Sequence, residues 1–464
     1  MKYVSTRGKA PVLNFEEVLL AGLAEDGGLY VPEEYPVFSK REMYEMRALN
    51  YADLAVKVMA PFTKGCFSEA ELKEMASAAY GNFSHDAVAP LKQIKDGLWV
   101  MELFYGPTLA FKDYALQLVG LMFDRVMHRQ GKRITIVGAT SGDTGSAAIE
   151  ACKDRNGLDV FILHPHNRVS EVQRRQMTTV LSENVFNIAL EGTFDDCQSV
   201  VKALFADHDF RTEYALSAVN SINWARIMAQ VVYYFRAALS LGAPDREVSF
   251  AVPTGNFGNV FAGYVAKRMG LPVKRLILGS NENDILPRFL DGGIMEKREV
   301  KPSISPSMDI QVSSNFERLL FEASDRNAET VSHLMETFKY EGVYKVPADI
   351  FSRIKGDFSG VRCSDDETKS EIGRIYKGSG ELLDPHSAIG AAAAEAYLEK
   401  ETPTVVLATA HPSKFPVPVR EATGITPSLP SRLSDLLTRK EVFTVLPNSL
   451  DAVKYFIQTH VRKG

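Results

Sequence analysis

"VSFAVPTGNFGNVFAGYVAKRMG", Val248–Gly270, changes character in its middle. The first six residues are apolar except for Ser249 and read as a strand, and from Gly258 the apolar residues recur with a helical period. Between them lies Thr254-Gly255-Asn256-Phe257-Gly258-Asn259. Its glycines let backbone come close to a ligand, and the helix start behind it offers unpaired N–H groups. A phosphate suits such a loop; a plain strand-to-helix turn accounts for it equally. The same grammar extends outward from Leu98: "LWVMELF", helix 111–129, "RITIVGAT", helix 144–153, "DVFILHP", helix 170–181, "VFNIALEG", helices 194–207 and 221–239, then helix 258–269 and "VKRLILGS". Strands that alternate with helices predict an α/β fold with parallel sheets covered on both faces. Ligands gather in such folds where strand C-terminal ends meet helix N-termini.

A second loop follows the same plan. "GATSGDTGSAAIEA" runs from a strand at Ile134–Val137 through Thr140-Ser141-Gly142-Asp143-Thr144 into a small-residue helix. Hydroxyls and helix N–H groups there suit a carboxylate or a second phosphate. A capped helix start, with Asp143 or Thr144 as the cap, is the simpler reading. Neither loop is a GxxxxGK[ST] phosphate loop, and Gly255-x-x-Gly258 lacks the GxGxxG pattern of dinucleotide sites. The lysine in "YGPTLAFKDYALQLVGLMF" (Tyr105–Phe123) needs its own account. An ammonium among so much hydrocarbon is costly unless paired, neutralised or used covalently; a lysine that snorkels from an amphipathic helix is the bland alternative.

Whole-chain totals narrow the classes. At 464 residues the chain exceeds one ordinary core, so two or three domains are expected. Hydrophobic residues make up 45% and charged residues 24%, a globular balance. With 53 basic and 58 acidic residues the net charge is −5, which favours neither nucleic acid nor an anionic membrane. Cys66, Cys152, Cys197 and Cys363 form no CxxC pair, which fits free thiols in a reducing cytoplasm. The N-terminus lacks the apolar core of a secretory signal, and no run reaches the ~18 apolar residues of a membrane span. His164, His166, His386 and His411 lack companions at metal spacing and are expected on the surface or at caps, so no metal is expected. Residues 1–95 read as a mostly helical N-terminal domain, and 96–464 as the catalytic body with an irregular insertion at 281–375.

"GPTLAFKDYA", "GATSGDTGSAA", "NSINWARI", "PTGNFGN", "SPSMDIQVSSNFERLLFE" and "ATAHPSKFP" occur in this order. With the N-terminal "STRG…GLAEDGGLYVP", the ordered set resembles the threonine synthase family, in its longer bacterial and fungal-type subgroup, over nearly the whole chain. That family belongs to the fold-type-II pyridoxal-phosphate (PLP) enzymes, with tryptophan synthase β and serine dehydratase. The resemblance implies two parallel-sheet lobes, a smaller mobile one over about 106–222 and a larger one over about 223–464. It implies that Lys112 is the Schiff-base lysine, which removes its isolated ammonium and tethers the cofactor. Gly255, Asn256, Phe257, Gly258 and Asn259 are similar to the loop that wraps the cofactor phosphate. Thr409 resembles the hydroxyl partner of the pyridine nitrogen, although a buried strand-end hydroxyl is the plainer reading.

The implied reaction turns O-phospho-L-homoserine and water into L-threonine and phosphate, with freed Lys112 as the base. Thr140, Ser141 and Thr144 are the implied cradle for the substrate carboxylate. Ser221, Asn223, Arg226 and Lys414 are the candidates for the leaving phosphate. Ser221 could equally cap helix 221–239, and Arg226 could be a solvated helix arginine. Many fold-type-II enzymes carry Ser-Gly-Asn-Thr where this chain has Ser141-Gly142-Asp143-Thr144. An ionised Asp143 would repel the cofactor's 3′-oxygen, so a protonated, water-bridged or merely capping Asp143 all stay open. A cleft that shuts on the substrate and a monomer or homodimer are expected. The rival readings are a serine/threonine dehydratase, a phospholyase, a nicotinamide dehydrogenase and a non-catalytic relative that keeps the cofactor.

Overall fold

In a computed structural model, which describes residues 1–219 and 221–462, the strand–helix alternation closes into two main sheets, beside two separate two-stranded antiparallel pairs, the first with the second strand and the eleventh with the twelfth. The strands, in chain order, are β1 (Tyr3–Ser5), β2 (Tyr30–Pro32), β3 (Leu91–Lys95), β4 (Leu98–Glu102), β5 (Ile134–Ala139), β6 (Leu158–Pro165), β7 (Val185–Glu191) and β8 (Leu216–Ser217). They continue with β9 (Val248–Pro253), β10 (Val273–Ser280), β11 (Ile294–Glu296), β12 (Val343–Lys345), β13 (Phe358–Arg362), β14 (Thr404–Ala408) and β15 (Thr444–Pro447). The larger sheet has the order β13-β10-β9-β14-β4-β3 and is parallel except for the β3–β4 hairpin. The smaller, order β15-β7-β6-β5-β8, is parallel throughout. Central strands β6 and β9 are buried along their whole length, as their mostly apolar composition favours, and buried Asp159 at the start of β6 is paired with Arg133 and Arg462.

The Trp224–Ser240 helix is apolar on nearly all sides because it packs against the Lys112–Gln130 and Gly258–Arg268 helices and the N-terminal Tyr51–Thr63 helix. The N-terminal segment therefore shares its core with the body. Tyr3 and Phe62 pack on Trp224 with ring centroids 6.0 and 5.7 Å away, and Tyr51 meets Tyr114 at 5.9 Å.

Three expected boundaries shift. β3, assigned from sequence to the N-terminal domain, pairs with β4 across a two-residue turn and belongs to the larger sheet. β15, assigned to the larger lobe, pairs with β7, and the Leu450–His460 helix buries Val453 and Ile457 against the smaller sheet. Without β15, β7 would leave an unpaired edge. The 281–375 segment is no mere insertion: β13 lies inside it and completes the larger sheet beside β10. No helix among the described residues is long and apolar enough to cross a membrane.

Candidate active site

Lys112 and Thr409 are neighbours because two chain segments pair beyond the end of β14. Ala110 bridges Ala410, Phe111 N–H donates to the Thr409 carbonyl at 2.8 Å, and His411 N–H donates to Leu109 at 3.0 Å. Lys112 opens its helix, so its side chain leaves the first turn where N–H groups are unpaired. Asp113, buried behind it, accepts from the Thr108 N–H (2.8 Å) and hydroxyl (2.7 Å) and fixes the loop before the lysine. Burial raises the Asp113 carboxyl to about 6, opposed by those Thr108 bonds.

The Lys112 ammonium lies 3.4 Å from Asp143 Oδ2, and Lys414 Nζ lies 2.7 Å from Asp143 Oδ1. Gln173 Nε2 donates to the same Oδ1 at 2.8 Å. Burial works to raise Asp143, but Lys414 and Lys112 outweigh it and hold the carboxyl well below the usual carboxylate range. Asp143 is thus an ionised hub, neither a protonated acid nor a helix cap; the cap position is Gly142, with no side chain to offer. Gly142 has φ +142°, and a Cβ there would meet the Gln173 side chain at 2.5 Å, so only glycine lets Gln173 reach the carboxylate. Burial lowers the Lys112 pKa, partly offset by Asp143 and reinforced by Lys414 and Arg226. Lys414, a candidate for the leaving phosphate, has two of its three N–H donors engaged, by Asp143 and by the Thr108 carbonyl at 2.7 Å.

The Gly255–Asn259 loop follows β9 and opens the Gly258–Arg268 helix. Phe257 adopts φ +60°, a left-handed conformation held in place by burial of its ring against Phe316 (5.1 Å) and Phe358 (5.7 Å). Among the described residues, the N–H groups of Gly255, Asn256, Phe257, Gly258 and Asn259 have no backbone acceptor. The Asn259 side chain faces the other way: its Oδ1 accepts from Tyr233 (2.5 Å) and Tyr234 (3.1 Å). The Thr409 N–H is held by Ser387 Oγ at 3.0 Å, and Ser387 is bonded to the buried Asp384.

The remaining candidates divide. Thr140 Oγ1 accepts from Gly142 and Gly145 N–H, both at 2.9 Å, so it shapes the loop and keeps only its own proton to give. Ser141 and Thr144 stay partly open to solvent beside it. The "NSINWARI" motif begins at Asn220, which lies outside the described residues. Ser221 does not cap the next helix, whose cap is Asn223; the Ser221 carbonyl instead accepts from Asn315 at 3.3 Å. Asn223 accepts from Ala225 N–H at 3.0 Å and donates one amide N–H to the Leu19 carbonyl at 2.8 Å, so its side chain ties the helix start to the N-terminal segment. Asn223→Ala is accordingly expected to cost about 1–3 kcal/mol in stability by urea unfolding.

Arg226 is buried, not solvated. Among the described residues it donates to the Val219 carbonyl alone, at 3.1 Å, and its Nε has no partner. No carboxylate pairs with it among the described residues, and burial lowers its pKa to about 10. A buried guanidinium without a counter-charge is costly, because its charge has lost water and gained no partner. Sequence reading missed Gln173, Ser387, Asp384, Asn315 and Arg318. Asp384-Pro385 carried a visible signal, an N-cap acid followed by a first-turn proline, but that signal spoke of a helix start and not of a site. His386, expected at the surface or a cap, is buried with Nδ1 2.7 Å from Asp384, and His164 is buried as well.

Family models match the chain in three blocks. They are the threonine synthase N terminus over residues 2–80, the pyridoxal-phosphate dependent enzymes over 85–337, and the threonine synthase C-terminal region over 387–457. The threonine synthase of Pseudomonas aeruginosa is 56% identical over 100% of this chain and 99% of its own length. This chain belongs to the threonine synthase family. The PLP-bound threonine synthase of Brucella melitensis superposes with a TM-score of 0.98 at 55% identity, covering 100% of both chains. The yeast threonine synthase structure gives 0.95 at 39%, over 99% of this chain and 98% of its own. The chain is a PLP-dependent lyase of the fold-type-II class, as the ordered motifs implied. The residues present fit that cofactor: an amine of lowered pKa and, among the described residues, five loop N–H groups without backbone partners.

Proposed function

We propose that this chain converts O-phospho-L-homoserine and water into L-threonine and inorganic phosphate, with the roles that follow. Bound PLP supplies an electron sink that acidifies the C–H bonds of the substrate amine. Lys112 holds the cofactor covalently and, once freed by the incoming amine, moves protons at Cα and Cβ. Its lowered pKa, with burial as the main cause, keeps more of it unprotonated near neutral pH than an exposed lysine. The N–H groups of Gly255–Asn259 would hold the cofactor phosphate, and the Thr409 hydroxyl would partner the ring nitrogen. Ser141 and Thr144, with the remaining proton of Thr140, receive the substrate carboxylate. The γ carbon–oxygen bond breaks and phosphate leaves, Cγ gains the proton given up by Cβ, and one water puts its OH on Cβ while its second proton goes to the departing phosphate.

Arg226 carries the choice of substrate: a buried guanidinium without a carboxylate, near enough to Lys112 to depress its pKa. A dehydratase that acts on unphosphorylated serine or threonine has no use for such a charge. Purified protein with PLP and O-phosphohomoserine should release threonine and phosphate in equal amounts; a keto product would establish the phospholyase reading instead. Arg226→Met should lower kcat/KM for the phosphorylated substrate by about 10²-fold, the scale of losing one preorganised charge partner, and weaken inhibition by inorganic phosphate. Unchanged phosphate inhibition would remove Arg226 from this role.

A further inference from the structure

The proposed phosphate loop does not hold its own shape. Gly255 has its carbonyl tied to Ser313 Oγ at 2.6 Å. The Asn256 carbonyl takes two bonds from Asn315, from its N–H at 3.1 Å and from Nδ2 at 2.8 Å. In a planar trans peptide the carbonyl of one residue and the N–H of the next point in opposite directions. Pulling the Gly255 carbonyl toward Ser313 therefore turns the Asn256 N–H the other way, and pulling the Asn256 carbonyl toward Asn315 does the same for the Phe257 N–H. These are two of the N–H groups that lack a backbone acceptor.

The Asn315 amide is itself oriented. Arg318, fully buried, donates to Asn315 Oδ1. A guanidinium has only donors, so the amide oxygen must face it and the NH₂ must face the Asn256 carbonyl. The other Arg318 donors reach the Ile222 carbonyl at 2.6 Å and the Tyr30 carbonyl at 2.9 Å. No carboxylate pairs with Arg318 among the described residues; its partners are carbonyl oxygens.

We propose that Ser313, Asn315 and Arg318 are positioning residues that aim the Asn256 and Phe257 N–H groups at the cofactor phosphate by fixing the carbonyls on the far side of the loop. This rests on the reading of Gly255–Asn259 as the phosphate cradle. It also assigns a task to the "SPSMDIQVSSNFERLLFE" segment, whose last part supplies the three residues.

The test compares affinity for PLP with affinity for pyridoxal, which lacks the phosphate, in the full-length cofactor-depleted protein. Ser313→Ala and Asn315→Ala should each weaken PLP by about 10-fold, the scale of one or two hydrogen bonds to a charged group, and leave pyridoxal within about twofold. Ser313→Thr, which keeps the hydroxyl, should behave as wild type. Equal loss for both ligands would mean general loosening and would overturn the proposal. Asn256→Pro, which deletes one of the aimed N–H groups, tests the underlying reading. If it abolishes the preference for PLP while Ser313→Ala and Asn315→Ala retain it, the positioning proposal fails and the cradle stands. If Asn256→Pro leaves the preference intact, the cradle reading fails and takes the proposal with it.

Discussion

Lys112→Ala should abolish threonine formation, by at least about 10⁴-fold in kcat, because one substitution removes both the covalent tether and the proton carrier, the latter alone worth about 10²–10⁴-fold. The variant should also lose the visible absorbance and borohydride-trappable attachment of the cofactor. Stability should barely fall, for physical reasons particular to this site. Burial already penalises the Lys112 charge, so its removal takes away a desolvation cost along with an attraction to Asp143. Asp143 keeps its nearer partner, Lys414 at 2.7 Å against 3.4 Å for Lys112. The decisive measurement is mass spectrometry of hydride-treated wild type: the cofactor mass must sit on the peptide that contains Lys112. An adduct on another lysine, or residual turnover within tenfold of wild type, would sink the assignment.

How much of this was legible before folding depends on the range of each interaction. The strand–loop–helix units around Gly255 and Ser141 are local, and their glycines, hydroxyls and apolar periods lie within a dozen residues of one another. The parallel sheets followed from the same alternation. What could not be read is pairing at a distance. Lys414 was offered to a phosphate because nothing in "HPSKF" says that its ammonium is committed to Asp143, far earlier in the chain. Asn223 looked like a polar ligand in a motif, yet its amide spans to Leu19 in the N-terminal segment. Arg226 had an ambiguous helical context, and only its burial in the fold shows that it is not a solvated helix arginine. β15 is a short, half-exposed run whose alignment with β7 is set by the sheet edge it covers.

Asp143→Ala should have the second-largest effect, on stability as well as on turnover. Lys414 has 0% side-chain exposure, and with Asp143 gone its ammonium keeps, among the described residues, only the Thr108 carbonyl as a direct partner and loses its ion pair. Breaking a buried ion pair from one side costs about 3–5 kcal/mol, far more than the pair is worth as a unit. Removing both ends, with Asp143→Leu and Lys414→Met together, should therefore recover most of the lost stability while activity stays low. Recovery of both would reduce the pair to scaffolding; recovery of neither would point to a packing defect. Acid unfolding adds an independent check. The folded Asp143 carboxyl is held below its ordinary value, so its stabilisation is complete above about pH 4, where an unfolded aspartate titrates, and fades as the pH falls further. Wild type should thus lose stability more steeply below about pH 4 than Asp143→Asn does. Parallel acid limbs for the two proteins would show that Asp143 is not the ionised hub between the two lysines.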